Sequence, residues 1–230
     1  MLFSWANGNL RDFWQKTPSP ERTEERVCWM LEQLHGIADG LRAIHGNIPK
    51  GDRSPNDRNT GRHGDIKPEN ILWFESHDSG KDHLLISDFG LSRFHRYKSM
   101  SEKYLPGFSP SYRPPDCDLP GVNISVKYDI WTLGCLFLDF LTWYLLGFNA
   151  VETEFSGARV AEESMQNTGS QHISPDKFFK YPVDKFFICY YVRGKEGAKL
   201  KQSVVNVSSL KPMPTSGHLK ASMRVLRDFR

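Results

Sequence analysis

Cysteine is scarce and scattered: Cys28, Cys117, Cys135 and Cys189 lie far apart, with no C-x-x-C pair among them. This argues against a zinc ribbon, a dithiol redox motif and a secreted disulfide scaffold, so a reducing compartment is expected, the cytoplasm first and the nucleus as an alternative. A basic stretch followed by a long apolar one is missing at Met1-Leu-Phe-Ser-Trp5, so no signal peptide is expected. A long uninterrupted apolar run is missing as well. The nearest approach is 130–148, IWTLGCLFLDFLTWYLLGF, which carries Asp139 near its centre. Its ten Ile, Leu and Phe residues are worth roughly −3 to −6 kcal/mol for membrane insertion, and the aspartate costs about +3. A buried core helix is the better reading, and no membrane partner is expected. Repeats are lacking too: Asp176-Lys-Phe-Phe and Asp184-Lys-Phe-Phe echo each other, but two copies of four residues make no repeat architecture.

What remains is an ordinary globular composition, with 39% hydrophobic and 25% charged residues in 230. The net charge of +3 conceals an asymmetry: from Val192 onward there are nine Lys/Arg against two acids, leaving a balance of −4 over residues 1–191. The basic character belongs to the tail. Its charges are scattered, not clustered, so nucleic acid is not an expected partner.

Leu10, Phe13 and Trp14 predict a short helix. A long one is predicted from about Pro20 to His45, with Ser19-Pro20 at its start and Glu21, Glu24 and Glu25 in the first turns. Val27, Met30, Leu31, Leu34, Ala38, Leu41 and Ile44 give it one buried stripe. Residues 46–62 change to Gly, Pro, Asn, Asp and Arg and read as an exposed insertion. Ile71–Phe74 and Leu84–Ile86 predict a hairpin joined through Asp78-Ser-Gly80. Five prolines keep 91–124 loop-like, the buried helix spans about Val126 to Leu146, and the chain after Asn206 reads as a basic tail.

Between insertion and hairpin stands His63-Gly-Asp-Ile-Lys-Pro-Glu-Asn70, followed by Ser87-Asp-Phe-Gly90, Tyr112-Arg-Pro-Pro-Asp116 and Asp129-Ile-Trp-Thr-Leu-Gly134. Each is weak alone, and Asp65 and Asn70 by themselves read as simple loop caps. In this order and spacing they resemble the catalytic lobe of eukaryotic protein kinases of the Ser/Thr type. The resemblance covers roughly residues 1–150, with patches to 205. It implies a mainly α fold with a small β-hairpin, a kinase-like C-terminal lobe (α+β) that is incomplete, over residues 1–205.

Phosphoryl transfer needs an aligned hydroxyl, metal ions on the phosphates and cations facing the developing charge. The resemblance implies ATP and Mg²⁺ as cofactors and a protein substrate. Asp65 would accept or orient the substrate hydroxyl proton, and Lys67 would meet the transferred phosphate. Asn70 and Asp88 would supply the hard oxygen ligands that Mg²⁺ prefers. His63 would support the loop from below, Ser109 would steady Asp65 and Lys67, and Asp129 would cap loop backbone groups. Asp116 stands where the family has a glutamate, one methylene longer, which puts its customary buried arginine pairing in question.

Two departures bear on activity. Gly64 replaces the usual arginine before the catalytic aspartate, removing one anchor for a phosphorylated residue. Activity independent of phosphorylation at Ser99, Ser101 or Tyr104 is therefore expected, with Arg93 and Arg96 as potential substitute anchors. The sequence also contains no G-x-G-x-x-G and no V-A-I-K-like strand before the catalytic loop. A lobe lacking its N-terminal counterpart, silent by itself and exposing a face that a partner could cover, is the expectation. A pseudokinase-like interaction module is the alternative, and a small-molecule phosphotransferase a more distant one, suggested by the H-G-D form of the loop.

Overall fold

A computed structural model of the chain describes residues 4–46, 59–76, 81–96, 109–118, 124–164, 176–180 and 199–200. The first element, strand β1 (Gly8–Asn9), runs directly into helix α1 (Leu10–Lys16). A reciprocal cap fixes the junction: Asp12 N donates to Asn9 Oδ1 at 3.0 Å, and Asn9 N donates to Asp12 Oδ2 at 2.9 Å. Leu10, Phe13 and Trp14, the residues that predict this helix, are all buried.

Helix α2 (Glu24–Ile44) begins later than Ser19-Pro20 suggests. Its cap is Thr23, whose Oγ1 accepts from Arg26 N at 3.2 Å. The preceding backbone is engaged elsewhere, since Pro18 O accepts from Phe148 N at 2.8 Å. Met30, Leu34 and Leu41 of the expected stripe are buried, and Trp29 and Ile37 are buried with them.

Strands β2 (Asn59–Arg62), β3 (Ile71–Phe74), β4 (His83–Ile86) and β5 (Arg93–Arg96) follow. β3 and β4 form the expected antiparallel hairpin, with Leu72 opposite Leu85. β1 adds a third strand beside β3, so the sheet is larger than the sequence suggests. The insertion is also shorter at its end than its composition implies. Residues 59–62 pair antiparallel with 93–96, and Arg62 is buried, its Nη1 donating to Ile124 O at 2.9 Å. Backbone pairing needs no apolar alternation, which is why polar β2 and β5 were invisible in the pattern.

Helix α3 (Lys127–Leu146) occupies the centre. Its Phe140 and Trp143 join Phe13, Trp14 and Trp29 from α1 and α2 in an aromatic core, with ring centroids 5.3–6.3 Å apart. Among the described residues it is the one helix long and apolar enough to cross a membrane, but over half of its most apolar stretch is buried inside this core. A π-helical turn (Ala150–Phe155) leads to α4 (Ser156–Ser164), and β6 (Phe179–Lys180) pairs with β7 (Lys199–Leu200). Phe178 and Phe179 are buried. The echo at 184–187, the tail after Asn206, Cys189 and the potential phosphorylation sites Ser99, Ser101 and Tyr104 lie outside the described residues.

Candidate active site

The loop 63–70 is held from below by one buried carboxylate. Asp129, in the first turn of α3, accepts from His63 N and Gly64 N, both at 2.8 Å, and from His45 Nε2 at 2.9 Å. Burying a charge is tolerable when several donors replace its water, and these three come from two distant segments. Gly64 turns through φ +90°, and a Cβ there would lie 3.0 Å from Leu91 O. Glycine at this position therefore suits a left-handed turn against neighbouring backbone. His63 Nε2 donates to Ser87 O at 2.9 Å, while its Nδ1 accepts from Asp65 N at 3.3 Å, which fixes its tautomer and ties the loop to the end of β4.

On this support Asp65 is buried, and its carboxylate is oriented by three side chains. Lys67 Nζ lies 2.8 Å from Oδ2, Asn70 Nδ2 donates to the same oxygen at 2.9 Å, and Ser109 Oγ donates to Oδ1 at 3.2 Å. Asn70 Nδ2 also donates to Asp65 O at 2.8 Å, closing the short turn Pro68–Asn70. Lys67 is partly exposed where Asp65 is not, so the ammonium faces whatever approaches the carboxylate.

Asp88 is brought beside this group because Ser87 N and Ser87 Oγ both donate to Asn70 O, at 2.9 and 3.0 Å. Its φ of 59° is the only positive value at a non-glycine among the described residues. Asp88 Oδ1 accepts from Gly90 N at 3.1 Å, the local bond that lets an aspartate occupy this conformation. Its side chain is exposed, as is Phe89. With its amide nitrogen committed to Asp65, Asn70 has only oxygen to offer a ligand, and Asp88 retains a second carboxylate oxygen. Two such groups suit Mg²⁺, which takes few protein ligands and fills its shell with waters and phosphate oxygens. Among the described residues no group of three or more His, Cys, Asp or Glu converges as a metal site of its own.

One wall next to the loop contains groups that sequence spacing did not bring forward. Tyr112 OH donates to Asp139 Oδ2 in a short hydrogen bond. Arg159 Nη1 lies 3.7 Å from Asp139 Oδ1, and Arg159 Nε donates to Asp176 Oδ1 at 2.6 Å. The guanidinium packs against the rings of Phe155 and Phe178, which meet edge to face, each centroid 4.3 Å away. Burial pushes the Asp139 carboxyl up to about 6, outweighing Arg159 and the Tyr112 hydrogen bond, which act downward. Burial, and then Asp139, raises the Tyr112 hydroxyl well above its ordinary range. The one advance signal was a charged residue inside an apolar helix. Asp116, by contrast, is exposed on the turn Pro115–Asp118, and among the described residues no ion pair involves it. The buried arginine of this region is committed to Asp139 and Asp176 instead.

The family model for the protein kinase domain matches residues 30–189. Cyclin-dependent kinase C-3 of Oryza sativa subsp. japonica is 37% identical over 143 residues, covering 61% of this chain and 36% of that protein. Mitogen-activated protein kinase 5 of Oryza sativa subsp. indica is 33% identical over 122 residues, 53% of this chain and 27% of its own length. Cyclin-dependent kinase G1 of Arabidopsis thaliana is 29% identical over 143 residues, 62% of this chain and 20% of that protein. The chain thus spans between a fifth and about a third of these relatives' lengths.

Proposed function

The chain belongs to the protein kinase domain family, and from that premise we propose that it carries the catalytic loop of an ATP- and Mg²⁺-dependent enzyme phosphorylating serine or threonine hydroxyls of proteins. One observation carries the reading: buried Asp65 is aimed by Lys67, Asn70 and Ser109 on a loop clamped by Asp129. Asp65 receives the hydrogen of the substrate hydroxyl, a task that requires an oriented carboxylate more than a basic one. Lys67, already 2.8 Å from it, faces the charge that develops on the transferred group. Lys67 and the Ser109 hydroxyl together favour the Ser/Thr class. Asn70 and Asp88 are the residues that would hold Mg²⁺, which when bound neutralises phosphate charge.

The 230 residues contain neither G-x-G-x-x-G nor a V-A-I-K-like strand. On this reading they hold ATP weakly and transfer little by themselves. The face bearing Asp88 and half-exposed Phe89 is where a phosphate-covering segment, or a partner protein in its place, would sit.

The test is transfer of labelled phosphate from ATP with Mg²⁺ to Ser/Thr peptides. It compares the 230-residue chain, a fusion to a kinase N-terminal lobe, and both with Asp65→Asn. The expected result is transfer by the fusion alone, reduced at least about 10²-fold by Asp65→Asn. Transfer by the unfused chain that depends on Asp65 would keep the enzyme reading and remove the silence. A folded fusion that still transfers nothing would defeat the enzyme reading.

A further inference from the structure

A cleft of about 520 Å³ opens beside the catalytic loop, lined among others by Arg11, Glu69, Ser109, Asp139, Glu152 and Asp176. Lys67 also lines it, so two of the groups that orient Asp65 are part of its wall. A polypeptide presenting a hydroxyl to Asp65 would have to lay its neighbouring residues across this cleft. That placement is what the inference takes from the phosphotransferase reading.

The cleft carries both signs of charge, with Arg11, Lys67 and Arg159 on its wall. Four carboxylates face it, from Glu69 in the loop turn, Asp139 on α3, Glu152 on the π-helical turn and Asp176 before β6. Arg159 is buried and serves Asp139 and Asp176. Asp139 Oδ1 is buried without a hydrogen-bond donor, its nearest charge being Arg159 Nη1 at 3.7 Å. The rim pair, Glu69 and Glu152, shares a single guanidinium: Arg11 Nη1 lies 3.4 Å from Glu69 Oε1, and Arg11 Nη2 makes a short contact with Glu152 Oε2. Arg11 reaches there from the first turn of α1, and its side chain is 48% exposed. It is a cation seated between two carboxylates from other segments, on a flexible stem, at the entrance to a carboxylate-rich cleft.

We infer that Arg11 is a built-in occupant of this cation subsite and a specificity-determining residue. While it bridges Glu69 and Glu152, Arg11 fills the space between the two carboxylates and halves the rim's negative charge, so the cleft does not select basic residues in a polypeptide. When Arg11 is removed, the same two carboxylates are free to take an arginine from the ligand. Ion pairs at half-exposed positions are weak and salt-screened, so the selectivity released is a matter of about three- to ten-fold in affinity, not orders of magnitude.

The experiment is fluorescence anisotropy on the full chain with two fluorescein-labelled peptides. One has a single serine flanked by arginines, and its twin has glutamines in their place. The unmodified chain is expected to bind the two within two-fold of each other. Arg11→Gln is expected to prefer the arginine peptide at least three-fold. Adding Glu69→Gln and Glu152→Gln should abolish that preference, and Arg11→Lys, which keeps the cation, should behave as the unmodified chain does. Near-ultraviolet circular dichroism identifies a variant that has lost its fold, in which case Arg11→Met, which keeps an unbranched stem without the charge, takes the place of Arg11→Gln with the same expected and overturning results. An unchanged ratio in Arg11→Gln overturns the inference, as does a three-fold arginine preference in the unmodified chain or no saturable binding of either peptide. Binding requires no phosphoryl transfer, so failure here and failure of the enzyme reading are seen separately.

Discussion

Asp65 offers two carboxylate oxygens, and the three partners divide unequally between them. Lys67 and Asn70 both address Oδ2, leaving Ser109 as the side chain that holds Oδ1. Loss of this hydroxyl frees one oxygen to rotate without removing a charge. On the proposed function Ser109 is a positioning residue, whose removal belongs in turnover more than in binding. In the transfer-competent fusion, Ser109→Ala is expected to lower kcat about ten-fold and to change the peptide KM less than two-fold, with Ser109→Thr close to unmodified. A KM rise with kcat untouched would place Ser109 in substrate binding instead. Asp65, Lys67, Asn70 and Asp88 were readable because their order along the chain is short and fixed. His45 was not. It lies at the end of α2, and its partner Asp129 is brought to it only by the packing of α3.

Helices α2 and α3 show how far one-dimensional signals reach at the scale of elements. The body of α3 was legible from continuous apolar residues. The start of α2 was misjudged because Ser19-Pro20 looks like a cap, whereas the backbone at Pro18 serves the far end of α3. Gly147 explains that junction: its φ is +91°, and an added Cβ would come within 2.7 Å of Pro18 O. Neither backbone can yield cheaply. Gly147→Ala is expected to destabilise the protein by about 1–3 kcal/mol. Gly36 is the control within α2, where an added Cβ meets nothing within 4 Å. Gly36→Ala in this exposed helical position should stabilise by about 0.5–1 kcal/mol. Urea midpoints that move in the same direction for both substitutions would contradict this account of where glycine is required.

Across the molecule, the buried network of Tyr112, Asp139, Arg159 and Asp176 joins α3, α4 and the segment before β6. Ser111 and Ser156 hydroxyls add hydrogen bonds to Asp176 Oδ2 at 3.2 and 3.1 Å. Sequence reading met Asp139 as a charge inside an apolar helix, and Tyr112 and Asp176 in separate motifs, but could not join them, because they lie on different segments and no local period links them. This network sets a pH dependence whose sign follows from burial. The Asp139 carboxyl is raised from 3.8 to about 6, chiefly by desolvation, with Arg159 and Tyr112 acting downward and Asp176 and Glu69 adding to the rise. Between about pH 4 and 6 the folded chain therefore holds a proton that the unfolded chain has released. The stability contributed by this group is complete below about pH 4 and is lost as the pH rises through 6, with a total on the order of 2–3 kcal/mol. Asp139→Asn keeps an acceptor for Tyr112 and removes the titration. The unfolding free energy of the unmodified chain, measured relative to Asp139→Asn by urea titration, should fall steadily from pH 4 to pH 7. Parallel pH profiles for the two proteins would mean that Arg159 keeps Asp139 ionised throughout, and that the buried pair, not desolvation, governs this wall of the cleft.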